Sequence, residues 1–274
     1  MIPLRDNIPY RTFPFVNYSV IAICALVFIA QLIQPPGAPD LIERFGMIPA
    51  RITHPDEPLV IRDLEVMQTP RGPQMREIMR PAADPAVPPL LTMLTCIFLH
   101  GGWMHFLGNM WFLHIFGDNV EDRFGHVGFV LFYLACGVAA SLAHYWAGPN
   151  STLPTIGASG AIAGVMGAYM YLYPHARVLT LVPIFVFLQV LMLPAPLFLG
   201  VWFLLQLFSG AMTLGAEQAA GVAWWAHIGG FAVGFAVAWL LGQAHRLNPP
   251  VAERLPASDR LSGYRLERGP RSGY

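Results

Sequence analysis

From Ala86 to His245 the chain holds only six charged side chains: Asp118, Glu121, Asp122, Arg123, Arg177 and Glu217. A water-soluble domain is about a quarter charged, whereas this chain is 12% charged and 55% hydrophobic, with a mean hydropathy of +0.51. So long a stretch with so little charge is read as membrane-embedded, and a soluble enzyme is excluded. Net charge is zero and all sixteen basic residues are Arg without a basic run, so no nucleic-acid partner is expected. Cys24, Cys96 and Cys136 are far apart and form no CxxC pair or disulfide framework.

A helix needs about 20 apolar residues to cross a bilayer. The first candidate, Phe15–Ile33, is too long for a signal-peptide core and ends without a small-x-small cleavage site, so it is expected to be retained as an anchor. The polar stretch from Gln34 to Pro89 carries six Arg and eight acids and reads as a long solvent-facing loop with some local helix. After Gly101-Gly102 a second span is expected from Trp103 to Gly117, then a charged turn at Asp118–Gly125, then a third span from His126 to Trp146. The fourth runs from about Ile156 to Pro174. Between Arg177 and Glu217 lie 39 uncharged residues broken by Pro183, Pro194 and Pro196. They suit either two short spans or one apolar interfacial segment followed by a span at Leu197–Ser209. Val222–Gln243 is the last span. The count is six, with seven as the alternative. Arg5, Arg11, Arg123, Arg177 and Arg246 flank one set of helix ends, while the short loops Ala147–Thr155 and Gly210–Gly221 hold no Arg. Both termini are therefore expected in the cytoplasm and the long first loop outside.

Polar groups inside spans are expensive and are functional candidates by default. They are His105, Asn109 and His114 in the second span, Ser159 in the fourth and His227 in the sixth. With cytoplasmic termini the even-numbered helices start outside, so His105, Asn109, Ser159 and His227 all fall in the first turns of a helix, at about one depth. His105 and Asn109, four apart, share a face. Ser159 lies in Gly157-Ala158-Ser159-Gly160 with Gly164 beyond. His227 lies in Ala226-His227-Ile228-Gly229-Gly230 with Gly234 beyond. These small-residue rows let helices pack backbone to backbone, which would bring a hydroxyl to an imidazole able to serve as its base. Each residue also has a plainer reading. A lone Ser in a membrane helix commonly bonds its own i−4 carbonyl, a lone His serves packing as readily as chemistry, and glycine pairs are a general packing device. His114, His126 and His144 read as structural or interfacial. No HExxH and no ligand-like spacing with a carboxylate occurs around His100, His105 and His114, so no metal is expected. Asp118 alone cannot supply the pair of intramembrane acids that an aspartyl mechanism needs.

Taken together, Phe98-Leu99-His100-Gly101-Gly102-Trp103-Met104-His105-Phe106-Leu107-Gly108-Asn109-Met110, Glu121-Asp122-Arg123-Phe124-Gly125, the GASG at Ser159 and the AHIGG at His227 resemble the rhomboid family of intramembrane serine proteases. The opening Ile2-Pro3-Leu4-Arg5-Asp6 also resembles bacterial members. The resemblance covers about Phe15 to Gln243, with the motifs in order. It implies an all-α, six-transmembrane helix bundle with a long external first loop (about 34–102). Residues 1–14 would be a cytoplasmic N-terminus, 15–243 the membrane domain and 244–274 a flexible Arg-rich cytoplasmic tail. It further implies an endopeptidase of the bacterial inner membrane that uses no cofactor or metal and cleaves membrane-anchored substrate helices.

By position, Ser159 would be the nucleophile and His227 the base, with His105, Asn109 and the Ser159 amide forming an oxyanion hole. The resemblance also favours the interfacial segment over two short spans and makes the fifth helix and the loop to Gly221 a lateral gate and cap. Two departures stand out. An aromatic that often stacks on the catalytic His, four residues after the Ser, is Ala163 here, which leaves the orientation of His227 to other neighbours. The first loop lacks an evident Trp-Arg pair and carries an apparent insertion around Pro55–Pro85. A catalytically silent rhomboid-like protein that binds transmembrane helices is the alternative, and such members typically lose the Ser or the His. A small transporter would call for inverted repeats and paired acids, neither of which is seen.

Overall fold

The computed structural model describes residues 1–69, 72–184, 187–212 and 223–249. The expected cap loop before Gly221 and the Arg-rich tail beyond 249 lie outside the described residues. A short strand β1 (Ile2–Asp6) leads into α1 (Phe15–Leu32), which coincides with the first expected span. The long first loop holds α2 (Leu41–Phe45), α3 (Pro49–Thr53), β2 (Val60–Thr69), β3 (Gly72–Pro81) and, after a 3₁₀ turn, α4 (Thr92–Thr95). Then come α5 (Trp103–Phe124), α6 (His126–Ala147), α7 (Ser159–Leu172), β4 (Arg177–Ile184), β5 (Phe187–Pro194), α8 (Ala195–Met212) and α9 (Trp224–Gln243).

Helices α1, α6, α8 and α9 are each long and apolar enough to span a membrane. The broken pair Pro89–Phe98 and Trp103–Phe124, bent by 79°, adds a fifth span if counted as one, and α7 is a shorter apolar helix of 14 residues. The chain is therefore a mostly helical, multi-pass membrane bundle, and a helix occupies each of the six expected span positions.

The strands are what the sequence reading did not anticipate. The insertion around 55–85 is a β2–β3 hairpin with antiparallel register from Val60–Pro81 to Thr69–Gly72. Its base is clamped to α2: Arg80 donates to both Glu43 carboxylate oxygens at 2.6 and 3.2 Å, and the Ala83 N–H to Glu43 Oε2 at 2.7 Å. Burial alone would raise the Glu43 carboxyl, but those hydrogen bonds and the charges of Arg80 and Arg51 hold it below the usual range. The apolar stretch before α8 is likewise strand: β4 and β5 form a hairpin, and β1 pairs antiparallel with β4 in the order β1-β4-β5. Prolines at 183 and 194 suit strand ends better than helix interiors.

Nor is Asp118–Gly125 a turn. Helix α5 continues through Phe124, and the chain reverses at Gly125, whose φ of +70° suits glycine. The charges are tolerated there because they cap other elements. Glu121 accepts from the Val16 and Asn17 N–H groups at 3.0 and 2.7 Å, satisfying the open start of α1. Asp122 accepts from the Arg11 and Thr12 N–H groups, and Arg123 donates to the Asn248 carbonyl at 2.7 Å. One acidic-basic patch thus ties the start of α1 and the segment after α9 to the same end of the bundle. Nearby, Asp6 accepts from the Tyr169 hydroxyl at 2.5 Å and from Asn119 Nδ2 at 2.9 Å, and burial pushes its carboxyl up to about 6 against those bonds.

Candidate active site

At the opposite end, α7 and α9 run side by side because glycines face each other. A Cβ on Gly230 would overlap the Gly160 carbonyl, one on Gly234 the Gly164 carbonyl, and one on Gly164 would lie 2.6 Å from Cys136 Sγ. The two small-residue rows seen in sequence are thus the two sides of one seam. Their N-terminal turns carry Ser159, the first residue of α7, and His227, four residues into α9.

Ser159 Oγ lies 2.7 Å from His227 Nε2, both residues half-buried. That contact is an inter-helix bond, not the i−4 back-bond of an isolated membrane serine. On its far side, His227 Nδ1 lies 2.7 Å from Oε1 of Gln206, a buried residue of α8. Gln206 was absent from the sequence reading. The available signal was a lone amide inside the apolar stretch Leu197–Ser209. The tilted Trp202 ring, with its centroid 5.8 Å away, and the perpendicular Trp224 ring, 6.3 Å away, flank the imidazole. These neighbours stand where the aromatic missing at Ala163 left a question; Ala163 itself is fully buried.

The loop before Ser159 is held firmly. Gly157 N–H donates to the Cys96 carbonyl at 2.9 Å, and Met47 and Thr155 exchange backbone bonds at 3.1 and 2.7 Å. Gly157 has φ +119°, which favours glycine, and a Cβ there would stand 2.6 Å from His105 Nε2 and push that ring aside. His105 Nδ1 accepts from Gly101 N–H at 3.3 Å, which leaves the proton of the neutral ring on Nε2, the nitrogen that faces Gly157. Asn109 is buried, its Nδ2 lies near the same glycine, and that atom has no hydrogen-bond partner among the described residues. A buried donor left unpaired costs about 1–3 kcal/mol, and this one is free to bond a group brought in beside Gly157. Ser159, His227, His105 and Asn109 thus come together as the sequence reading grouped them.

His114 and His126 stand elsewhere, whereas His144 lies at the His227 end of the bundle. His126 Nδ1 pairs with Glu121 at 2.5 Å, His114 lies against the rings of Tyr18 and Trp111, and His144 is in the last turn of α6.

Residues 88–244 match the family model described as the Rhomboid domain, more than half of the chain. The chain is 31% identical over 165 residues to Rhomboid protein 1, mitochondrial, of Saccharomyces cerevisiae, covering 56% of this chain and 42% of that protein. It is 40% identical over 72 residues to Rhomboid-like protein 11, chloroplastic, of Arabidopsis thaliana, covering 26% and 25%. To Rhomboid protease GluP of Bacillus subtilis it is 42% identical over 79 residues, covering 29% and 15%. The chain thus spans less than half the length of these relatives.

Proposed function

Since the chain belongs to the rhomboid family, whose matched members include a named protease, we propose that it is an intramembrane serine endopeptidase working through a Ser159–His227 dyad. The observation that carries this reading is the 2.7 Å contact between Ser159 Oγ and His227 Nε2. Serine is inert at neutral pH without a base, and a neutral imidazole is the side chain best suited to take its proton.

In the first step His227 Nε2 removes the Ser159 hydroxyl proton as Oγ attacks the scissile carbonyl carbon. The carbonyl electrons move to oxygen, and the oxyanion is received by His105 Nε2–H, Asn109 Nδ2 and the Ser159 N–H at the open start of α7. Collapse expels the amine, which takes the proton from His227. Water then attacks the acyl-serine, giving a proton to the same nitrogen, and collapse breaks the acyl–Oγ bond, releasing the carboxyl product as Ser159 Oγ takes that proton back from His227. No cofactor or metal is required. The substrate is a membrane-anchored protein helix that must unwind locally, because a backbone bonded i to i−4 shields its carbonyl. The same reading makes residues 15–243 the membrane domain, with six crossings and both termini in the cytoplasm of a bacterial inner membrane, so that Ser159 and His227 enter from the external side.

Labelling of the detergent-solubilised chain with a fluorophosphonate probe tests the dyad. Labelling of wild type at Ser159 alone, abolished in His227→Ala, is the expected result. Equal labelling of wild type and His227→Ala returns the protein to a silent, helix-binding role. Reporter fusions after Trp146 reading external and after Arg246 reading cytoplasmic would bear on the orientation.

A further inference from the structure

We infer that Gln206 is a positioning residue for the base: its amide oxygen accepts the Nδ1 proton of His227 and so holds the imidazole in the one tautomer that can deprotonate Ser159. This rests on the dyad reading above and goes beyond it, since it brings a third helix, α8, into the reacting unit.

The geometry gives the ring two partners. Nε2 can accept the Ser159 proton only if the neutral ring carries its own proton on Nδ1. Nδ1 faces Gln206 Oε1 at 2.7 Å, an acceptor with no proton to give. The relay therefore has one consistent direction: Ser159 O–H to Nε2, and Nδ1–H to the amide oxygen. When Nε2 takes the serine proton, the Nδ1 proton stays where it is, and the amide dipole faces the new imidazolium. No proton passes to Gln206.

The placement of Gln206 argues against mere packing. Around it on α8, Leu204, Leu205, Leu207 and Phe208 are exposed on the apolar outer side, while Gln206 is 7% exposed and turned inward. An amide on an apolar helix face is unfavourable unless it is bonded, and the bond it makes is to the reacting histidine. A carboxylate in that position would stabilise imidazolium more, but it would place a full charge inside the bundle; the amide supplies direction without that charge. Among the described residues, the titratable side chains whose charge reaches the His227 ring are His105 of α5 and His144 of α6, neither of which can take the place of an Nδ1 acceptor by charge attraction. Trp202, one turn before Gln206 on the same helix, adds a wall that keeps the ring from tilting away.

The test measures the rate of fluorophosphonate labelling of the full chain in detergent across pH for wild type, Ser159→Ala, Gln206→Met and Gln206→Glu. Gln206→Met keeps length and removes the acceptor, and its labelling should slow by about 10- to 100-fold, as for loss of an orienting partner to a functional imidazole. Gln206→Glu restores an acceptor and adds a charge that favours imidazolium. Its rate should recover above that of Gln206→Met, with the acid limb of its pH profile moved up by about one unit or more. A side chain at position 206 that does not face His227 Nδ1 would not move that limb. If Gln206→Met fails to fold, the limb of Gln206→Glu decides alone. A labelled wild type with the Glu variant's limb unmoved, or a Met variant labelling at the wild-type rate, overturns the positioning role while leaving the dyad intact. An unlabelled wild type overturns the dyad, and this inference with it.

Discussion

The two ends of the bundle use polar residues in opposite ways. At the end near the termini, acidic and basic side chains close backbone gaps: Glu121 accepts from the first N–H groups of α1, Asp122 from the N–H groups of Arg11 and Thr12, and Arg123 donates to the Asn248 carbonyl. At the other end the polar groups are neutral. They bond side chain to side chain across three helices, Ser159 to His227 to Gln206, and leave Asn109 Nδ2 unpaired. A residue that completes the backbone serves folding; a buried donor held without a partner is kept at a standing loss in stability. An unpaired buried donor does not by itself distinguish the ends, since Asn17 Nδ2 beside Glu121 also lacks a partner among the described residues; what differs is that one end bonds side chains to backbone and the other bonds side chain to side chain across helices.

The largest effect expected is at the dyad. Ser159→Ala should reduce substrate cleavage by about 10³-fold or more, with thermal stability in detergent unchanged. A parallel loss of stability would blur the division between the ends. Next, Asn109→Ala should lower the cleavage rate by about 10²–10³-fold if its amide serves the oxyanion and should leave the melting temperature the same or higher, because an unsatisfied donor is removed. An unchanged rate in the folded variant would move Asn109 to the structural class.

Glu121→Ala is the converse case. It strands the first N–H groups of α1 and the His126 ring, so stability should fall by about 1–3 kcal/mol, read by thermal unfolding. Labelling at Ser159 should stay near wild type below the transition. The smallest effect belongs to Asp6, whose carboxyl is raised from 3.8 to about 6. The folded state then binds this proton more tightly than the unfolded state, so the contribution is complete below 3.8 and is lost as pH rises through about 6. Asp6→Asn keeps an acceptor for Tyr169 and cannot ionise. The melting-temperature difference, variant minus wild type, should grow between pH 4 and 7; a constant difference would show that Asp6 titrates normally.

Much of the reactive end was legible from residue order. His105 and Asn109 share a helical face by spacing alone, and the glycine rows beside Ser159 and His227 announced close packing. Gln206 was not legible, because a single amide in an apolar helix belongs to no motif, and its meaning depends on which helix α8 packs against. The β4–β5 hairpin was hidden for a related reason. A run such as Phe187–Pro194 is apolar but for Gln189, so it has neither the 3.6-residue period of a helix on a core nor the alternation of a half-buried strand. Its strand form is decided by pairing with β4, which pairs in turn with β1, about 175 residues earlier in sequence. The charged Asp118–Gly125 reads as a turn in sequence because the partners that satisfy Glu121 and Asp122 come from the start of α1 and the residues before it.

Local composition by itself determined that this chain lies in a membrane, where its apolar helices fall, and which few polar groups share a depth, because bilayer thickness and helical rise convert sequence distance directly into position. Only tertiary structure decided which of those groups touch. Hydrogen bonds act over about 3 Å, and contacts on that scale, such as Ser159 to His227 and His227 to Gln206, are set by how backbones separated by 68 and 21 positions pack, which no local pattern encodes.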